Sequence, residues 1–215
     1  MPDLFTSLPR LTSRVIVAGA GLTLGSALRV IPEQFRGCSI IACNYAICAP
    51  WPEPENVWWL CNDYTAVLTD WWREALGRAN PRRIIWSEEL AAAAAAPDPP
   101  RDDVYKYTLG LHLMPGAHKH CLLPGELRGG ASVVGLAAQL AWQCWRVHGR
   151  HQCQIQYAGA DMRGNGYWDG SSQPRYRADH WRSHRDSINA LNRWLLANGV
   201  AISSITETAM EVGCA

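Results

Sequence analysis

Short glycine-rich or polar stretches interrupt an otherwise apolar chain, and each one follows or opens an apolar run. They are Gly19-Ala20-Gly21 with Thr23, Asn44, Asn62-Asp63, Gly129-Gly130-Ala131-Ser132, and Gly159-Ala160-Asp161-Met162. Glycine lets a backbone approach a ligand closely, and the N–H groups at a helix start attract phosphate. Together the stretches suit a nucleotide site, with Gly19, Gly21, Thr23, Asn44, Asp63, Gly130 and Ser132 as its candidate contacts. Singly they are less specific. Gly19-x-Gly21-x-x-x-Gly25 has neither the spacing of a dinucleotide fingerprint nor the lysine of a P-loop, and it equally describes a tight strand-to-helix turn. Asn44 and Asp63 are also residue types that cap turns and helices.

Asp161 begins a long polar loop, DMRGNGYWDG, directly after an apolar run, where open sheets present catalytic groups. It is expected to serve turnover rather than folding. Tyr167, Asp169 and Arg175, with Trp168 and Tyr176, give that loop stacking surfaces and anion contacts suited to an acceptor. His180 stands at the start of the last helix, either as an acid–base group or as a surface histidine. Glycosyl transfer needs an activated acceptor hydroxyl and a stabilised leaving phosphate, roles open to Asp161, His180 and Arg177. Diphosphoryl transfer needs Mg2+ across the ATP phosphates, with Asp63 and Asp161 as the candidate metal ligands. The segment His118-Lys119-His120-Cys121 lacks paired zinc knuckles and reads as a polar loop.

Such residues need a scaffold that gathers them. Arg14 to Ala18 (RVIVA) reads as a strand and Thr23 to Val30 as a helix. Cys38 to Cys43 and Val57 to Cys61 are apolar without alternation, as in strands covered on both faces, and the proline-rich 49–54 stretch joins them as an extended connection. A helix is expected over Ala66 to Ala79, a strand over Arg82 to Trp86, and an alanine-rich helix over Leu90 to Ala96. Residues 101–128 yield one short strand near Val104 to Leu109, in a segment that could serve as a lid. Val133 to Val147 is a helix apolar almost all round, Gln154 to Ala158 a strand, and Trp181, His184, Ile188, Leu191 and Leu195 form one stripe of a last long helix. The alternation predicts the α/β class: a Rossmann-like, mostly parallel sheet with helices on both faces, a single domain over 14–205 between tails 1–13 and 206–215.

Composition agrees with a packed domain. Apolar residues make up 48% and charged residues 18% of 215, with a net charge of +1, which gives no footprint for direct nucleic-acid binding. Only Lys106 and Lys119 among the 20 basic residues are lysine, and arginine holds phosphate bidentately. Eight cysteines without a CxxC pair read as buried thiols in a reducing, cytoplasmic setting. No stretch approaches the roughly 20 apolar residues of a membrane span, and the first residues lack a secretory core.

The succession VIVAGAGLTL, CNYAI, LCND, GGASVVGLAAQLA and YAGADMRGNGYWDG resembles the 6-hydroxymethylpterin diphosphokinase MptE-like family and, more distantly, the bacterial sialyltransferases. The resemblance runs from about Arg14 to Leu196. It implies a Rossmann-like transferase that uses a small nucleotide donor. The group moved is either a sugar from a nucleotide sugar, the first choice, or diphosphate from ATP with Mg2+. A nucleotide-binding module without activity is the third alternative. Gly19, Gly21, Thr23, Asn44 and Ser132 match the family's donor-holding turns, Asp161 its Gly-x-Asp-Met acid, and Tyr167 and Asp169 the aromatic and polar residues after it. Ala20 and Leu22 stand where the sialyltransferase turn carries Asn and Pro, which speaks against sialyl transfer itself.

Overall fold

A computed structural model describes residues 8, 10–79, 83–94, 105–110, 126–128, 132–163, 166–171 and 178–213, without the side chains of residues 64, 106–110, 126, 128 and 178–180. Eight strands form one fully parallel sheet: β1 (Arg14–Ala18), β2 (Ser39–Cys43), β3 (Val57–Cys61), β4 (Ile84–Ser87), β5 (Tyr105–Gly110), β6 (Glu126–Arg128), β7 (Gln154–Ala158) and β8 (Ala201–Ser204). Their order across the sheet is β6-β5-β4-β3-β2-β1-β7-β8. The unalternating apolar runs lie at the centre, where β1 is flanked by β2 and β7, with Ile16 opposite Ile40 on one side and Gln156 on the other.

Side chains alternate between two apolar layers because strand residues point to opposite faces. Val15, Val17, Ile41, Cys43, Trp58 and Leu60 meet α4 (Val133–Val147) and α5 (Ala178–Ala197). Ile16, Ala18, Ile40, Ala42, Trp59 and Cys61 meet α1 (Leu22–Val30), α2 (Trp72–Arg78) and α3 (Glu88–Ala94). A parallel sheet must be covered on both faces, and this one is. The chain is therefore an α/β protein of Rossmann-like architecture.

Several local expectations change. The single helix expected over Ala66 to Ala79 is a 3-10 turn, Tyr64–Leu68, followed by the shorter α2. Thr69 ends the turn: its N–H and its hydroxyl both donate to the Ala66 carbonyl, at 3.0 and 2.6 Å, which draws that carbonyl away from an α-helical partner. Strands β6 and β8 were not expected, and β4 begins at Ile84. The segments read as tails pack where they are described. Leu8 and Leu11 are buried, and Thr12 exchanges hydrogen bonds with Ser39. Near the other end Thr208 donates to the Ala160 carbonyl and Met210 is buried. Most of the 101–128 segment, including the expected polar loop at 118–121, lies outside the described residues.

All six described cysteines are buried thiols outside any disulfide. Burial pushes the thiols of Cys48 and Cys61 up to about 12, so these behave as core groups rather than nucleophiles. Among the described residues no helix is long and apolar enough to cross a membrane.

Candidate functional site

From β1 the chain winds outward through β2 to the β6 edge and then crosses back to β7, on the other side of β1. This is the switch point at which open parallel sheets leave a crevice beyond their carboxyl ends. A cleft of about 480 Å³ opens there. It is bounded by the turn after β1, Asn44 and Tyr45 after β2, Asn62 and Asp63 after β3, the Gly159–Met162 turn after β7, and the amino end of α4 at Ser132.

Two turns interlock at its floor. Gly159 has φ +60°, and a Cβ there would collide with the Gly19 carbonyl, while a Cβ on Gly19 would stand 2.7 Å from the Gly159 oxygen. A Cβ on Gly21 would lie 2.6 Å from Asp161 Oδ2. These glycines therefore let two strand ends touch. The Gly19 and Gly21 amides donate within that junction, to Ala158 and Gly159 oxygens at 2.9 and 2.8 Å. Asp161 is buried, and its two oxygens accept from the Thr23 backbone N–H, at 3.2 Å, and from the Thr23 hydroxyl. Helix α1 has no capping side chain of its own, so a carboxylate from a distant strand end supplies the cap.

The amino end of α4 faces the cleft differently. Ser132 accepts from the Val134 N–H at 3.2 Å, and Ser132, Val133 and Val134 line the space. Asp63 is exposed, and its Oδ1 accepts from the Thr65 N–H and hydroxyl at 2.9 and 2.6 Å. Asn44 sits at φ +50°, a conformation uncommon outside glycine. Its main-chain oxygen accepts from Trp59 Nε1 at 3.1 Å. Its side-chain oxygen is buried without a hydrogen-bond partner. A buried acceptor left unpaired is costly, so a donor from a bound molecule is the natural complement.

An aromatic wall completes the cleft. Tyr45 meets Tyr167 edge-on at 5.2 Å between ring centroids, and also packs on Trp71 and Trp168. The Tyr45 hydroxyl donates to Asp169 at 2.7 Å. Burial, then this carboxylate, raises the phenol well above the ordinary tyrosine value. For Asp169 burial opposes the charge, but hydrogen bonds from Ser171 and Tyr45 outweigh it and hold the carboxyl below its ordinary value. The loop is tied to the first turn by Trp168 N–H donating to the Ala20 oxygen at 3.0 Å.

The structure thus gathers Gly19, Gly21, Asn44, Asp63, Ser132, Asp161 and Tyr167 around one cleft. Thr23 stands behind it, bound to Asp161, and Asp169 reaches it through Tyr45. Gly130, Arg175 and Arg177, and the side chain of His180, lie outside the described residues. Trp181 and His184, which helical spacing assigned to the packing stripe of α5, also line the cleft, with their rings 5.9 Å apart, and Trp181 packs against the core as well. Tyr45 and Trp71 were also missed; the one signal for Tyr45 was its place beside Asn44. As a metal pair, Asp63 and Asp161 are largely committed to Thr65 and Thr23, and no group of three or more metal-binding side chains occurs among the described residues.

No family model matches the chain, and no curated protein matches it. Among solved structures, the chain is similar to the MAf glycosyltransferase of Magnetospirillum magneticum AMB-1, with a TM-score of 0.55 and 16% identity. The match covers 94% of this chain and 33% of that one, so this chain spans about a third of that enzyme's length. At that identity the likeness establishes a shared α/β fold.

Proposed function

We propose that the protein is a nucleotide-dependent transferase of the glycosyltransferase type, with its donor in the cleft at the switch point. The observation that carries this reading is the unpaired, buried Asn44 oxygen in a polar and aromatic cleft of about 480 Å³, a volume suited to a small ligand. The fold likeness to a glycosyltransferase supports it.

Asn44 pairs with a donor group of the nucleotide, and the aromatic wall offers rings on which a flat or sugar face can stack. The phosphate sits at the amino end of α4, because that of α1 already holds the Asp161 carboxylate. An acceptor hydroxyl then enters along Tyr167, and a base takes its proton as the oxygen attacks the anomeric carbon. The bond from that carbon to the phosphate oxygen breaks, and the charge left on the nucleotide is stabilised by the α4 amino end. His184 on the helix side and Asp161 on the strand side are the acid–base candidates.

Thermal unfolding with CMP, UDP, GDP and ATP, each with and without Mg2+, tests the reading. A nucleotide at 100 times its Kd adds about 2.7 kcal/mol to stability. Asn44→Gly keeps the backbone conformation and removes the unpaired amide, so the shift should vanish in a folded variant. Stabilisation by ATP with Mg2+ alone turns the reading to diphosphate transfer, and binding without turnover of any nucleotide sugar turns it to a non-catalytic module. No shift with any nucleotide at millimolar concentration rejects it.

A further inference from the structure

A second cavity, about 710 Å³, lies at the opposite end of α4, among residues that play no part in the cleft. Helix α4 has 15 residues, so at 1.5 Å per residue the two sites stand about 22 Å apart. Two half-buried indoles, Trp142 from α4 and Trp194 from α5, meet edge to face at 4.7 Å and 75° and form its apolar side. The last turn of α4 contributes Arg146, the loop after it contributes Arg150 and His151, and the turn before β8 closes the other side near Val200.

The charge is one-sided. No carboxylate lines this cavity, and among the described residues no acidic side chain pairs with Arg146 or Arg150. Both arginines are exposed. The Arg146 guanidinium lies over the Trp142 ring, 4.8 Å from its centroid. Stacking occupies the flat face of a guanidinium and leaves its in-plane N–H groups for an oxyanion, which they bind bidentately. Indole surface beside such a cation complements a molecule with a flat ring and a negative group, since each alone would leave half of the cavity uncompensated.

We propose that this cavity is a second binding site, for a small anion carrying an aromatic or heterocyclic ring, such as an aryl or nucleoside phosphate or an aryl carboxylate. It is separate from the cleft and independent of the donor reading.

Phenyl phosphate is a suitable probe, titrated into the 15N-labelled full chain while the indole N–H signals are followed. Trp142→Phe and Trp194→Phe assign the two reporters, and Trp181 reports on the cleft. The expected result is saturable movement of the Trp142 and Trp194 signals. Inorganic phosphate and neutral indole, each lacking one half of the probe, should bind at least about tenfold more weakly. Arg146→Gln with Arg150→Gln, both at exposed positions, should weaken phenyl phosphate by about tenfold or more, and Arg150→Gln alone by a smaller factor. Movement confined to Trp181, equal binding of inorganic phosphate, unchanged affinity in the double variant, or no movement at millimolar probe would each overturn the proposal.

Discussion

Asp161 and Thr23, 138 positions apart, form a contact in which a candidate catalytic group also fastens the fold. The carboxylate faces the positive end of α1, where a negative charge is favourable by up to about 2 kcal/mol when partly buried. Asn at this position keeps the size but loses the charge, and only one of its two terminal atoms can accept. Asp161→Asn should therefore lower unfolding free energy by about 1 kcal/mol, where the sequence suggested no change. Thr23→Val should cost a comparable amount, and the double variant less than the two together, because the pair is a single interaction. Urea unfolding of the four proteins checks this; strict additivity would show that the contact carries no coupling. Turnover of Asp161→Asn, measured on the same material, should fall by roughly two to four powers of ten if the carboxylate also moves the acceptor proton.

At the scale of elements, the loop over 166–171 is held to the rest by Tyr45, Asp169 and Ser171. Asp169 accepts from Ser171 N–H and hydroxyl at 2.9 and 2.6 Å as well as from Tyr45. Its folded value lies below the ordinary one, so the bonds favour the ionised form. That contribution is fully present above the unfolded aspartate value of about 3.9 and is lost as pH falls through the lower folded value. The loop should accordingly loosen below about pH 4, seen as faster amide exchange at Tyr167 and Trp168, while exchange in the central strands is unchanged. Tyr45→Phe should show loosened exchange already at neutral pH. Identical exchange in that variant and the native protein would remove Tyr45 from the latch. The elements themselves were legible to different degrees. Strands such as Val57–Cys61 are recognisable because burial on both faces leaves an unbroken apolar run. The edge strand Ala201–Ser204 buries only Ile202 and carries no such signature. Glycines and amides after the strands marked the cleft, since ligand sites form at those ends. Trp181 and His184 escaped because α5 overhangs the sheet: one helical stripe reaches the cleft first and the core, at Ile188 and Leu191, a turn or more later.

On the scale of the whole molecule, the β7–α5–β8 portion docks against the six strands from β1 to β6, and β1 is the strand that joins them within the sheet. Beyond the β1–β7 ladder, that junction rests on backbones brought close by absent side chains. Gly19 and Gly159 approach through their carbonyls, Gly21 admits Asp161, and a Cβ on Gly25 would overlap the Trp168 carbonyl oxygen. The Gly19-x-Gly21-x-x-x-Gly25 pattern is thus a docking pattern, with each glycine placed where a neighbouring segment comes close. Gly25 lies inside α1, and Gly77 lies inside α2 with open space where its Cβ would go. In a helix interior, alanine is favoured over glycine by roughly 1 kcal/mol. Gly77→Ala, next to the last residue of α2, should realise part of that gain and raise the urea midpoint. Gly25→Ala carries the same helical preference but must push the 166–171 loop off α1, because the colliding atom is backbone and cannot rotate away. It should lower the midpoint and speed amide exchange at Trp168, whose N–H bonds to Ala20 from that loop. Equal stabilisation by the two alanines would mean that the loop yields without cost and that Gly25 has no part in joining the two portions.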